Sequence, residues 1–344
     1  MDLTVIDLDI FLSSPHDSDI VTRECKRAAE ALTGAGALVL HDSRVSESDN
    51  SAFLDLMEDY FSQPMSELEK DVRPELQYTV GVTLENTERP KCAVHEPCLR
   101  IIQQLAPEER PIDVSGHSPD PKSRFFWAMT ETPPYKTQFP TLNAENVIPQ
   151  AENLKKRWTP AMQAWGMYMK NAVEGLAKML AIGFELPEDY FTNAGKYGPH
   201  RLAPTASDLV KYGQKDQILA GFHTDLNFLT IHGRSRYPGL NIWARNTGKR
   251  IAVKIPEAGY HEVVVTEATL EVMEKRRREF PDRPLRRISS TFFWHLSSDY
   301  DLSPIPSLVK KKAAYGEDLD TSEYPKMKAG QQVQNELKNI ALMV

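Results

Sequence analysis

A chain of 344 residues, 41% apolar and 26% charged, can build one large core or a core with a helical annex. Its 41 basic against 48 acidic side chains give a net charge of −7, which speaks against a nucleic-acid partner held by electrostatics. Cys25, Cys92 and Cys98 are too few and too odd for a disulfide framework and fit a reducing compartment, and no apolar run approaches the length of a membrane span.

The N-terminus, Met-Asp-Leu-Thr-Val-Ile-Asp, lacks a basic segment ahead of an apolar stretch, so a cytoplasmic monomer with no membrane partner is expected. Residues 3–12 alternate apolar and acidic side chains as a short strand does, and residues 18–31 carry apolar and small residues at helical spacing. Gly34-Ala35-Gly36 suits a helix end and a turn before a second strand, Ala37-Leu38-Val39-Leu40. Between residues 79 and 150, prolines and polar residues recur without sustained period, which predicts irregular segments with a few strands such as Phe125-Phe126-Trp127-Ala128-Met129. From Thr159-Pro160 onward Met162, Trp165, Met169, Val173, Leu176 and Leu180 form the stripe of a long amphipathic helix that starts on Pro160 and ends near Gly183. Short apolar runs follow at 221–231, 239–243, 251–255, 261–265 and 288–294. Strands this short, broken by turn residues, predict an antiparallel barrel or jelly roll. Charged residues at helical spacing from Glu267 to Phe280 fit a surface helix or a solvated excursion, and the basic runs 275–278 and 310–312 are short enough to be solvated surface.

Gly221-Phe222-His223-Thr224-Asp225 sets two good metal ligands one residue apart, and on extended backbone positions i and i+2 share a face, so both reach one ion. A further histidine would complete a facial set of two histidines and one carboxylate, which leaves adjacent positions open as oxygen-activating iron requires. Alone, a His-x-Asp triplet is a weak signal. Arg287-Ile288-Ser289 repeats the same-face spacing on a strand-like run, and an arginine fork with a hydroxyl binds a carboxylate well. The bland alternative is a surface ion pair. Cys92, His95 and Cys98 are spaced like part of a zinc set, but no fourth ligand with a matching knuckle is near, so a structural zinc is not expected. His232 is expected as a packed or surface histidine, and His200 and His117 carry no motif. No phosphate loop, dinucleotide fingerprint or nucleophile elbow is present.

With these residues in this order, the sequence resembles the isopenicillin N synthase-like branch of the iron(II) and 2-oxoglutarate dependent dioxygenases. The likeness takes in Val5-Ile6-Asp7-Leu8, the helix that follows with residues 36–39, the segment from Phe61 to Lys70, residues 221–231 and 238–242, and Arg287-Ile288-Ser289 with Thr291-Phe292-Phe293. It implies a jelly-roll core, mainly β with a helical N-terminal part, as one structural unit: a mixed region over residues 1–120 and a catalytic core with its long helix over residues 121–344. It implies His223, Asp225 and His261 as iron ligands, the last carried by Tyr260-His261-Glu262-Val263-Val264-Val265, with His295 as the rival. Arg287 and Ser289 become the clamp on the distal carboxylate of 2-oxoglutarate. The implied activity is oxidation of a small organic substrate by O2, hydroxylation first and desaturation or ring closure next, with release of succinate and CO2 and with ascorbate in support.

Two places depart from the family pattern. His261 follows Asp225 by 36 positions, about twenty fewer than the family's usual path, which shortens the roll between Gly259 and Tyr260. At residues 201–205, an asparagine and a tyrosine that help hold the cosubstrate in relatives are missing. The shortening makes a non-catalytic binding protein the alternative function. An iron enzyme that works without 2-oxoglutarate is a third, against which Arg287 and Ser289 speak.

Overall fold

Strand β1 (Val5–Asp7) lies parallel to β2 (Val39–His41), joined through the helix Asp19–Gly34. The alternating stretch that predicts a strand over residues 3–12 stays extended for only three of them. Asp7 accepts the Asp9 N–H and caps a helix, Leu8–Ser13, whose Leu8 and Phe11 turn into the core. The computed structural model describes residues 2–90, 92, 95–112, 118–253, 260–314 and 326–339.

Helix Asp19–Gly34 presents Val21, Cys25, Ala28 and Ala29 to the long helix Glu152–Gly183. The two backbones meet at Gly183, where an added Cβ would stand 2.3 Å from the Cys25 carbonyl oxygen. The long helix ends where the sequence places its end but begins at Glu152, with Pro160 inside it. Leu154 and Trp158, both buried, carry the apolar stripe back from Met162 at four-residue spacing, behind the polar screen of Lys155, Lys156 and Arg157.

The strands that position the site are β3 (Gly81–Thr83), β4 (Ser123–Ala128), β5 (Arg201–Asp208), β6 (Ile218–His223), β7 (Leu229–His232), β8 (Leu240–Trp243), β9 (Arg250–Ala252), β10 (Tyr260–Val264) and β11 (Arg286–Trp294). They form two antiparallel sheets, of order β3-β4-β5-β11-β7 and β6-β10-β8-β9. A short ribbon, β12 (Asp301–Leu302) with β13 (Met327–Lys328), stands apart.

Strand β11 shows how the faces are assigned. Ile288, Phe292 and Trp294 enter the main core, which the long helix covers, whereas Arg287, Ser289, Thr291 and Phe293 line a hollow shared with residues of the smaller sheet. The two sheets therefore face one another across that hollow. Because the outer faces are apolar as well, helices must cover them, and the fold is mixed helix and sheet rather than mainly β.

Helix Glu267–Glu279 is no solvated excursion. Thr266 and Thr269 close a capping box at its start, and Met273 packs in a small core with Leu209, Leu219 and Tyr237. Its basic run is not wholly surface either: Arg276, with Arg236 and Arg283, converges on the fully buried Glu58 at 3.2, 2.7 and 2.8 Å. Among the described residues β7 pairs with β11 alone. The junction expected to be shortened, at Gly259, falls in residues 254–259, outside the described residues, as does His117. No described helix is long and apolar enough to cross a membrane.

Candidate metal centre

Strand β6 delivers His223 at its last position, and the turn that follows carries Asp225. Strand β10 lies between β6 and β8, and its register sets His261 directly opposite His223. The rings stand 4.2 Å apart between centroids, and one ligand atom from each of His223, Asp225 and His261 falls within 4.8 Å of the others. The structure thus brings together the three residues the sequence singles out. His295 is not in that group; it is buried just beyond the end of β11, where its backbone N–H donates to His200 Nδ1 at 3.1 Å.

The donors are prepared for a cation. His223 Nδ1 lies 2.6 Å from the Gly221 carbonyl oxygen, so the proton sits on Nδ1 and the Nε2 lone pair is left for a ligand. Burial, reinforced by His261 nearby, pulls the His223 pKa down to about 3 and keeps the ring neutral. Burial acts the other way on Asp225, but the surrounding histidines outweigh it and bring the carboxyl down to about 2. Its Oδ2 is buried without a hydrogen-bond partner. A buried carboxylate oxygen left open beside two imidazoles is a site for a positive ion. Close approach demands a glycine at position 221, since a Cβ added to Gly221 would stand 2.7 Å from Pro90, and its N–H donates to Asp120 Oδ1 at 2.9 Å.

Arg287 and Ser289 line the inter-sheet hollow next to this group, together with Thr205 and Ser207 of β5 and His232 of β7. Arg287 is buried, its Nε donates to the Pro238 carbonyl oxygen at 3.3 Å, and no carboxylate pairs with it among the described residues. Burial lowers its pKa to about 10. An unpaired guanidinium among hydroxyls is an anion site in waiting.

Three further side chains in the hollow have no motif to announce them. His232, neutral because burial and His261 hold its pKa at about 3, contacts Thr291 Oγ1 at 3.1 Å, and its ring centroid is 5.7 Å from that of His261. Lys122 lies just ahead of β4 and Arg124 on it, one same-face step apart. Both neutralise the buried Glu88, at 3.1 and 3.3 Å, and overcome its burial so that its pKa falls to about 2; Arg124 Nε also donates to Thr205 Oγ1 at 3.0 Å. Their spacing just ahead of Phe125 is the available signal. Arg201 donates to the carbonyls of Thr79, His200 and Leu142.

Behind Phe222, the thiols expected to be reduced are joined: Cys92 and Cys98 form a disulfide packed with Ile102, Phe222 and Trp243. The bond removes both sulfurs from any zinc set. Cys25 is buried alone, and burial together with Glu24 pushes its thiol up to about 12, an inert group.

No protein-family model matches the chain, and no curated protein matches it in sequence. Its fold is that of solved oxygenases. A full-length Neurospora crassa protein crystallised with alpha-KG superposes with a TM-score of 0.69 at 15% identity over 98% of this chain and 96% of its own. A Caulobacter crescentus protein described as of the 2OG-Fe(II) oxygenase family gives 0.70 at 17% identity, over 98% and 99%. JOX2, in complex with 2OG, Fe and JA, gives 0.60 at 17% identity, over 100% and 86%.

Proposed function

We propose that this protein is an iron(II) and 2-oxoglutarate dependent oxygenase that oxidises a small organic substrate, most readily by hydroxylation, with release of succinate and CO2. The observation that carries the reading is the convergence of His223, Asp225 and His261 within 4.8 Å, with Asp225 Oδ2 left open. Two histidines and one carboxylate suit iron(II) that must keep adjacent positions free. Solved proteins of the same fold bind alpha-KG, or 2OG with Fe. When bound, the metal and its cosubstrate supply the oxidising power for the reaction.

The chain's own residues orient and shield. The Gly221 carbonyl fixes the His223 tautomer, and the register with β6 and β8 holds His261. Arg287 and Ser289 would take the far carboxylate of 2-oxoglutarate, which satisfies the unpaired guanidinium. When the Thr291 hydroxyl donates to His232 Nδ1, the ring's remaining proton lies on Nε2, a buried atom without a partner. On the other side of His223 and Asp225, a separate hollow lined by Tyr78, Phe126, Phe293 and Leu337, with Lys122, Arg124 and Arg201 among its charged groups, offers a seat for a substrate.

The two facing sheets read as a jelly roll of the isopenicillin N synthase-like kind with no stave next to β7 among the described residues. The four-stranded sheet that carries both histidines keeps its pairing, which supports an enzyme over a binding protein. Residues 1–120 and 121–344 read as one unit, since β3 pairs with β4 and the first helices pack on the helix Glu152–Gly183. The test is direct. Purified protein given iron(II) should bind one ion per chain by elemental analysis and form succinate from 2-oxoglutarate in air, and His223→Ala should lose both. Absence of stoichiometric iron in the unaltered protein would sink the proposal.

A further inference from the structure

Beside β7, whose outer edge is unpaired among the described residues, lies a second chamber. The hollow beside β7 has a volume of about 740 Å³, within the range of sites for small molecules. Its walls come from parts of the chain far apart in sequence: Leu38 after the first long helix, Val173 and Leu176 of the helix Glu152–Gly183, Leu229 and Ile231 on β7, and Trp243 at the end of β8. The rim is tied in place where the Arg245 N–H donates to the Ala35 carbonyl oxygen at 2.8 Å. The hollow is not part of the inter-sheet cavity that holds Arg287, nor of the one beyond Phe126 and Phe293. It does reach Thr224 and Asp225, so it meets the candidate metal centre from a different side.

Among the described residues only two charged side chains line this hollow, and they have opposite signs. Asp225 marks the inner end. Arg245 stands at the exposed end, and no acidic partner pairs with it among the described residues. The rest of the lining is mostly apolar, with Gln104, Thr224, Asn227, Thr230 and Tyr260 as neutral polar groups, so a ligand that fills the space is largely apolar. It must avoid placing negative charge beside Asp225, and it gains most by placing that charge beside Arg245.

We propose that the hollow beside β7 is a binding site for an elongated apolar carboxylate, its head group held by Arg245 and its apolar end directed toward Asp225. Binding itself does not depend on iron chemistry. Only the consequence that the bound molecule is presented for oxidation at its far end rests on the function proposed above.

The full-length protein, free of metal, is titrated with the dye 1-anilinonaphthalene-8-sulfonate, and the dye is then displaced by decanoate or by decan-1-ol. Decanoate should displace it at concentrations at least tenfold below those of the alcohol. Arg245→Ala should abolish that difference, and Arg245→Lys should restore most of it. Leu229→Trp, which fills the hollow from the edge strand, should weaken both ligands tenfold or more while circular dichroism shows an intact fold; Leu40→Trp does the same from the opposite wall should the first variant fail to fold. Equal displacement by acid and alcohol in the unaltered protein, no dye binding, or folded tryptophan variants that bind as before would each overturn the site. Iron stoichiometry and succinate formation are measured on the same preparation. Loss of those with decanoate binding retained would overturn the oxygenase reading alone, and the converse would overturn the hollow alone.

Discussion

Arg287 offers a demanding prediction, because its charge strains the empty protein and, under the proposed function, serves the liganded one. Burial takes its pKa from 12.5 to about 10, equivalent to about 3 kcal/mol against the charged form. Arg287→Met keeps an apolar stem against the sheet and removes that penalty. It gives up the bond to the Pro238 carbonyl, worth about 1 kcal/mol, and leaves some unfilled space. The ligand-free variant should therefore be more stable by about 1–2 kcal/mol, a rise of about 1.5–3 °C in Tm. Since the folded pKa is depressed but still about 10, both states stay protonated below that value, and the gain should not vary with pH between about 6 and 9. For 2-oxoglutarate the sign reverses, since loss of a buried charge-assisted fork costs about 2–5 kcal/mol, a weakening of about 30-fold or more. Thermal unfolding with and without 2-oxoglutarate reads both effects, because a ligand that binds only the native state raises Tm with its concentration. A variant destabilised by about 2 kcal/mol without ligand, or one whose 2-oxoglutarate response matches the unaltered protein within about threefold, would refute this account of Arg287.

Other consequences are equally open to measurement. His200, His223, His232 and His295 all have pKa values held below 6.5 by burial, so the unfolded chain binds protons that the fold refuses. Stability should be full above pH 6.5 and fall below it by about 1.4 kcal/mol per pH unit for each, partly opposed by Glu262, raised to about 7, which pulls the other way between pH 4.5 and 7. Urea unfolding at about pH 7.5, 6.5 and 5.5 checks the slope, and His200→Gln should flatten it by one histidine's share. Cys92→Ser opens a loop that joins cysteines six residues apart in sequence and should cost about 2 kcal/mol, with mass spectrometry of alkylated unaltered protein showing no free thiol at Cys98 before reduction. Cobalt(II), as a redox-stable probe of the proposed metal centre, should raise Tm in the unaltered protein; in Asp225→Ala the affinity should fall by about 100-fold or more. Gly221→Ala drives a methyl into Pro90 and should cost about 1–3 kcal/mol, detectable as a lower urea midpoint.

The parts of the molecule legible in sequence are those governed by local period or by a two-residue step. Arg287 and Ser289 share a face because strands alternate, Asp225 stands in the turn two residues past His223 at the end of its strand, and the structure gathers both pairs around one interior. The helix stripe from Met162 to Leu180 is visible for the same reason, whereas lysines that face water mask its first turns. Long-range features leave no local trace. His232 gains its place from pairing with Thr291, 59 positions away, and the Cys92–Cys98 spacing would serve a metal as readily as a disulfide.

Glu58 joins helix Glu47–Phe61 to arginines 178, 218 and 225 positions further along the chain. During synthesis that helix is made long before Arg236, Arg276 and Arg283 leave the ribosome. For that interval its acid must stay hydrated, so the helix cannot settle into its final berth. The last arginine acts as a latch. The N-terminal region can acquire its full stability only after more than about four-fifths of the chain has been translated, which places native docking late in the life of the nascent protein.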